Sequence, residues 1–237
     1  MNTYKIAELI VNMESKGRIL DRQGSRYRTH GSETADITIA IADDFLTMKH
    51  KENPHLTTDE CEYIWTGGEF YHQLLDFHGF MLHASAIAID NRAYLFSALS
   101  GTGKSTHTEL WQKHFGENRA VIINDDKPAM RFIDNQFYVY GTPWSGKSDK
   151  SLDIKVPLSG IVFIERAPTN WITRIDGKPA IRLILQNTLR PQKIAKMDAL
   201  LVLVDQLLTA VPIYKMGCDI SENAVELVYR KLKEEKV

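Results

Sequence analysis

A chain of 237 residues, 43% of them apolar, has enough material for a sizeable core, which excludes a disordered or fibrous protein. Its formal net charge is −1, from 29 lysines and arginines against 30 acids, so no global attraction to nucleic acid or to an anionic membrane is expected. The two cysteines, Cys61 and Cys218, make neither a disulfide framework nor a metal-spaced cluster. With no apolar leader at the N-terminus and no apolar run of membrane-spanning length, a cytoplasmic chain of one domain is expected.

In chain order, apolar and β-branched runs predict strands over 6–13 and 37–41, and the turn-rich stretch 17–31 predicts a loop or hairpin connection. Asp43 and Asp44 have no partners at metal-ligating spacing and read as a helix-start or surface pair. The charged stretch 49–60 reads as a loop, with a helix expected from Thr58. Phe70, Tyr71, Leu74, Leu75, Phe77 and Phe80 then recur at helical spacing, the pattern of core packing. Next, 84–89 predicts a strand, Asp90-Asn91 a tight turn, and 93–96 the returning strand. His83 precedes this hairpin and would be carried back towards the segment after residue 96. Structural and functional readings are evenly matched there.

That segment is Ala98-Leu99-Ser100-Gly101-Thr102-Gly103-Lys104-Ser105-Thr106, and a helix is expected over 104–114. The order strand, glycine loop, helix is the context of a phosphate site. Gly101 and Gly103 let backbone N–H groups turn inward, and the helix N-terminus adds about half a positive charge facing the same oxygens. Lys104 would reach the terminal phosphates and Ser105 would hold Mg²⁺; Ser100, Thr102 and Thr106 complete the cradle. Ala98 stands where the usual Gly-x-x-x-x-Gly-Lys-Ser/Thr pattern begins with glycine.

An apolar strand over 120–123 then ends in Asn124-Asp125-Asp126. Acids at a strand's carboxyl end, opposite a phosphate loop, suit a metal–nucleotide site, one near Mg²⁺ and the other near an acceptor hydroxyl. A hairpin about Asp134-Asn135 leads into Gly141-Thr142-Pro143-Trp144-Ser145-Gly146-Lys147, read as a substrate loop with Trp144 as an aromatic wall. Lys147 is either a phosphate or acceptor contact or a solvated lysine. A continuous apolar run over 161–164 predicts an interior strand, and 172–175 a shorter one. Helices are expected over 181–189 and 193–211, meeting at Arg190-Pro191, then a short strand at 212–214. A last helix is expected from Asp219, with Glu222 as a capping-box partner and Ala224, Val225, Val228 and Leu232 buried.

His83, the run from Ser100 to Ser105 and Asp125-Asp126 together resemble the catalytic domain of the HPr kinase/phosphorylase family. The loop from Leu99 to Lys104 also looks like that of phosphoenolpyruvate carboxykinase, a structural cousin. The motifs cover roughly residues 82–127; the pattern over 159–235 is more loosely similar. The resemblance implies an α/β fold, a P-loop domain with a mixed central sheet flanked by helices. A small β-rich N-terminal portion (1–80) would precede a catalytic core (81–237). It also implies ATP and Mg²⁺ as cofactors, with Lys104 on phosphate, Ser105 on Mg²⁺ and Asp126 as acceptor of the hydroxyl proton. His83 would be an active-site residue and Asp125 a metal or supporting carboxylate. Ala84 and Thr106 stand where that family has a glycine and often an acid. Neither its Leu-Glu-Ile-Arg-Gly-type segment nor its phosphorylase signature is present.

The expected function is therefore ATP- and Mg²⁺-dependent phosphoryl transfer to a serine-type hydroxyl on a small molecule or peptide. An HPr-type protein serine kinase, a nucleotide-binding regulatory module and an ATPase are the alternatives.

Overall fold

The computed structural model of the protein describes residues 1–31, 34–99 and 101–234. In chain order the elements are β1 (Asn2–Ile6), β2 (Leu9–Met13), α1 (Arg18–Gly24), β3 (Ile37–Ile39), α2 (Asp43–Glu52) and α3 (Thr58–Leu74). Then come β4 (Gly79–Met81), β5 (Ala84–Ile89), β6 (Arg92–Ser97), α4 (Lys104–Phe115), β7 (Ala120–Asn124), β8 (Ala129–Ile133) and β9 (Gln136–Tyr140). The chain closes with β10 (Lys155–Arg166), β11 (Trp171–Ile175), α5 (Gly177–Gln186), α6 (Ile194–Ala210), β12 (Ile213–Cys218) and α7 (Glu222–Glu234).

Strands β1, β2 and β3 make a small sheet; the others form a mixed sheet running β4-β8-β9-β10-β6-β5-β7, with β12 on the free side of β10 and β11 outside it. The twelve-residue β10 joins its two halves: it starts antiparallel to β9 and ends between parallel neighbours β6 and β12. Both β6 and β7 pair antiparallel with β5, so β6, β7, β10 and β12 all point one way. Their carboxyl ends, and the start of the reversed β5, share one edge of the sheet. In α/β sheets that edge is where ligands bind.

The tight turns at Asp90-Asn91 and Asp134-Asn135 form as expected, all four residues at positive φ between two paired strands. Helix α3 starts after Thr57, whose hydroxyl accepts from Glu60 N while the Glu60 carboxylate accepts from Thr57 N, a reciprocal cap. Asp43 and Asp44 open α2 and lie favourably at its positive end.

Several expectations give way to contacts from distant residues. The stretch 6–13 is a hairpin rather than one strand, turning at Ala7 and Glu8 with φ of 52° and 64°. Neither is a usual turn residue; Arg131 Nη1 donates to Ala7 O, and Tyr140 Oη and Lys155 Nζ donate to the Glu8 carboxylate. The expected loop at 17–31 contains α1; just before it Lys16 N and Gly17 N donate to the buried Glu62 carboxylate at 2.7 and 2.6 Å, and its first N–H, at Arg18, donates to Asp59. The charged stretch from residue 49 continues α2 as far as Glu52. Helix α5 stops at Gln186, and 187–193 separates it from α6. Ser221, not Asp219, precedes α7 and accepts from Ala224 N. The N-terminal portion holds its small sheet but is also strongly helical, through α1, α2 and α3.

Among the described residues, three apolar clusters form the interior. One lies between the mixed sheet and α5–α6, and one between that sheet and α4 and α7. The third joins the N-terminal sheet and α3 to Met81, Ala129, Tyr140 and Trp144, so the first eighty residues share a core with the mixed sheet.

Candidate active site

The glycine loop connects β6 to α4 at the carboxyl edge. Gly101 and Gly103 have φ of 76° and 119°, a left-handed backbone that side chains resist. Ser100 lies outside the described residues. Arg166, at the end of β10, clasps the loop from outside: Nη2 donates to Gly101 O at 2.7 Å and Nε to Thr102 O at 3.2 Å. Lys104 opens α4 and is buried, its ammonium donating to Ala98 O at 3.1 Å. Burial lowers the pKa of that ammonium from its ordinary value, against the pull of Asp126 and Asp125. Ser105 is half-buried in the first turn of α4 and Thr106 is exposed.

The two acids follow β7 and face different ways. Buried Asp125 accepts from Ser85 Oγ at 2.6 Å, and Ser85 Oγ lies 2.8 Å from Thr108 Oγ1 of α4. Asp126 Oδ1 lies 3.1 Å from His83 Nε2, and Lys127 Nζ pairs with Asp126 Oδ2. Burial pushes the Asp126 carboxyl up, but the His83 hydrogen bond and the Lys127 charge outweigh it and hold the group below its usual value. The turn that parts the two carboxylates is set by buried Asn124, whose Oδ1 accepts from Asp126 N at 3.0 Å and Lys127 N at 2.7 Å. His83 is held by its backbone, its N–H donating to Asn187 O at 2.7 Å and its carbonyl accepting from Ser97 Oγ.

The loop 141–147 does lie against Asp126: a Cβ on Gly146 would come 2.9 Å from the Asp126 Cβ. It is not an exposed substrate loop, however. Thr142, Trp144 and Ser145 are buried, and Trp144 stacks on Phe70 of α3 with ring centroids 4.9 Å apart. Trp144 still contributes to the wall of a cavity of about 290 Å³ that His83 and Lys127 also line. Lys147 is exposed and lies among the charges that act on Glu60, away from that wall.

Sequence reasoning missed Lys127, Asn124, Ser85 and Arg166. Lys127 directly follows the acid pair, and that adjacency was a usable signal; Arg166 and Ser85 reach the site only through sheet pairing.

A second cleft, about 450 Å³, opens where the loop and α4 meet the ends of β10 and β12, lined by Thr102, Gly103, Thr106, His107, Arg166 and Cys218. His107 is buried there; Trp111 Nε1 donates to its Nε2 at 3.1 Å, and burial pushes the imidazole pKa down to about 4. Among the described residues no three His, Cys, Asp or Glu side chains gather as a metal-holding group. Among the described residues no helix is long and apolar enough to cross a membrane.

No protein family model matches the chain, and no curated protein matches it. Among solved structures, the Hpr(Ser) kinase/phosphatase from Coxiella burnetii is similar over 65% of this chain and 98% of its own, at 15% identity and a TM-score of 0.34. A likeness at that level assigns neither activity nor residue roles.

Proposed function

We propose that the protein transfers the terminal phosphoryl group of ATP to an alcohol, with Mg²⁺ and the 101–106 loop holding the phosphates. One observation carries this reading. A buried lysine at the start of a helix, after a loop turned by two left-handed glycines, sits within electrostatic reach of two carboxylates at the same sheet edge. Phosphoryl transfer asks a protein mainly for positioning and charge neutralisation, and this set supplies both.

Lys104 would exchange its Ala98 carbonyl for phosphate oxygens, and Ser105 and Asp125 would hold Mg²⁺. A site of that kind needs only one hydroxyl and one carboxylate besides the phosphates, and Ser105 in the first turn of α4 and the buried Asp125 after β7 are groups of those two kinds. The metal would neutralise charge on the phosphates. The cleft beside His107 has room for the base and sugar. At the acceptor, the hydroxyl oxygen forms a bond to the γ-phosphorus, the bond to the bridging oxygen breaks, ADP leaves, and the hydroxyl proton passes to Asp126. His83 and Lys127 keep that carboxylate ionised, so it acts by orientation more than by basicity.

The test is incubation with γ-labelled ATP, Mg²⁺ and a mixture of alcohols, analysed by mass spectrometry. Label on a hydroxyl supports transfer; label only in free phosphate makes the protein an ATPase; intact ATP bound without turnover makes it a regulatory nucleotide module.

A further inference from the structure

The cavity beside Asp126 contains a glycine that the fold does not explain. Gly67 and Gly68 both lie inside helix α3, where glycine costs about 1 kcal/mol relative to alanine. Gly67 has a packing reason: a Cβ there would come 2.7 Å from the Trp144 ring. Gly68 has none, because a Cβ there would meet nothing within 4 Å. Gly68 lines the cavity, so the wall there is bare helix backbone with open space where a Cβ would go.

Most of the remaining wall is apolar or aromatic, through Tyr63, Ile64, Tyr71, Met81, Trp144 and Leu189, and Gln186, Asn187 and Thr188 add uncharged polar groups. Its charge is spoken for, since the Lys127 ammonium is paired with Asp126 and no acid lines the cavity. The exposed Lys147, the cation that would have favoured an anionic acceptor, is not part of the wall. A space of about 290 Å³ lies at the small end for ligand pockets. His83 lines the cavity and carries the hydrogen bond to Asp126, so an alcohol bound among His83, Gly68 and Trp144 has its hydroxyl within one residue of the ionised carboxylate.

We infer that this cavity is the acceptor site and that it takes a small, uncharged alcohol with an apolar or aromatic body, in preference to a charged metabolite or a seryl side chain of a protein. The inference rests on the phosphoryl-transfer reading above, yet the binding half of its test does not require it.

The full chain, labelled with ¹⁵N at its indoles, is titrated with benzyl alcohol, L-serine and glycerol while the Trp144 Nε1–H resonance is followed, assigned by its loss in Trp144→Phe. That N–H is buried without a hydrogen-bond partner and packs beside Gly67, so it reports on the cavity wall. Benzyl alcohol is expected to shift it saturably, L-serine and glycerol to leave it in place, and Gly68→Leu to abolish the shift. With ATP and Mg²⁺, Gly68→Leu should lower benzyl alcohol phosphorylation at least about tenfold relative to the same variant's transfer to water, as expected when a pocket is filled. Gly68→Ala, whose methyl meets nothing, should weaken both effects by less and keeps the test open if leucine disturbs the helix.

Equal phosphorylation of L-serine or of a serine peptide, or a benzyl alcohol shift unchanged in both Gly68 variants, overturns the inference. If ATP neither binds nor turns over, the phosphoryl-transfer reading fails. A Gly68-dependent shift would then still place an apolar alcohol in this cavity.

Discussion

On one side of Asp126 stand Gly101 and Gly103, with φ of 76° and 119° and open space where a Cβ would go. On the other stands Gly67, helical, with Trp144 pressed to within 2.7 Å of where its Cβ would be. The first pair are glycines because the backbone turns the wrong way for a side chain; Gly67 is one because an indole occupies the space. The phosphate side thus owes its shape to local backbone geometry and carries its chemistry on consecutive residues. The cavity side is assembled from α3, the segments at 81–83 and 186–189, and Trp144, and its shape depends on packing. Damage to the first should therefore remove chemistry and spare the fold, and damage to the second should reach stability as well.

Under the proposed function, the largest effect is expected at the residue between the two sides. Asp126→Asn keeps the shape and removes the proton acceptor, so turnover should fall about 10²–10⁴-fold with ATP affinity retained. The opposite pattern, Asp126→Asn losing Mg²⁺ affinity and Asp125→Asn losing rate, would exchange the roles of the two acids. Because His83 and Lys127 hold the Asp126 carboxyl below its ordinary value, the acid limb of the rate profile should lie below the normal carboxylate range. His83→Ala together with Lys127→Ala should move that limb towards neutrality, which a pH–rate profile reads directly.

On the phosphate side, Lys104→Ala removes a point charge aimed at the terminal phosphates and should cost about 10²–10³-fold in turnover, in the range of losing one oxyanion-type donor. Weaker ATP binding should accompany it. Unchanged nucleotide affinity and turnover would remove the loop from the site.

His107 offers a comparable energy of another kind. Its pKa falls from 6.5 to about 4 on folding, because the buried imidazole must stay neutral. The unfolded chain therefore binds a proton that the native one refuses. Stability is full above pH 6.5 and drains as the pH falls towards 4, by at most ~3 kcal/mol. Urea unfolding at neutral pH and near pH 4.5 should show a smaller difference in His107→Gln, which still offers Trp111 Nε1 an acceptor.

Legibility in the sequence divides along the same line. The Asp-Asn turns, the start of α3 near Thr58, the glycine loop and the acid pair after β7 are made by residues within a few positions of one another, and all could be read. Helix α1 could not, because the carboxylates that hold its start are Glu62, on Lys16 N and Gly17 N, and Asp59, on Arg18 N, about forty residues away. Nor could the turn at Ala7-Glu8, held by Arg131, Tyr140 and Lys155. The sequence points to Trp144 as the aromatic wall of a substrate loop, and nothing near it in the chain signals its burial. Phe70 and Gly67, whose packing buries it, lie on a helix some seventy residues earlier. Gly67 and Gly68 carry no signal of their own in the sequence, because what distinguishes them is the position of Trp144.

That pair gives the smallest expected effects and the sharpest contrast, since the two substitutions are chemically identical and adjacent. Gly67→Ala forces a methyl against the Trp144 ring, which is stacked on Phe70 and edge-on to Tyr71 and so has little room to retreat. Overpacking of this kind costs about 1–3 kcal/mol, reduced by the helix propensity that alanine regains. Gly68→Ala meets nothing within 4 Å and pays no such penalty, so it should stabilise the protein by up to ~1 kcal/mol. Thermal melts of the two variants should fall on opposite sides of the parent. If Gly68→Ala were destabilising as well, its glycine would have a structural reason, and the bare helix face would cease to point to a ligand. If it raises stability while weakening benzyl alcohol binding, the helix tolerates a side chain there that the cavity does not.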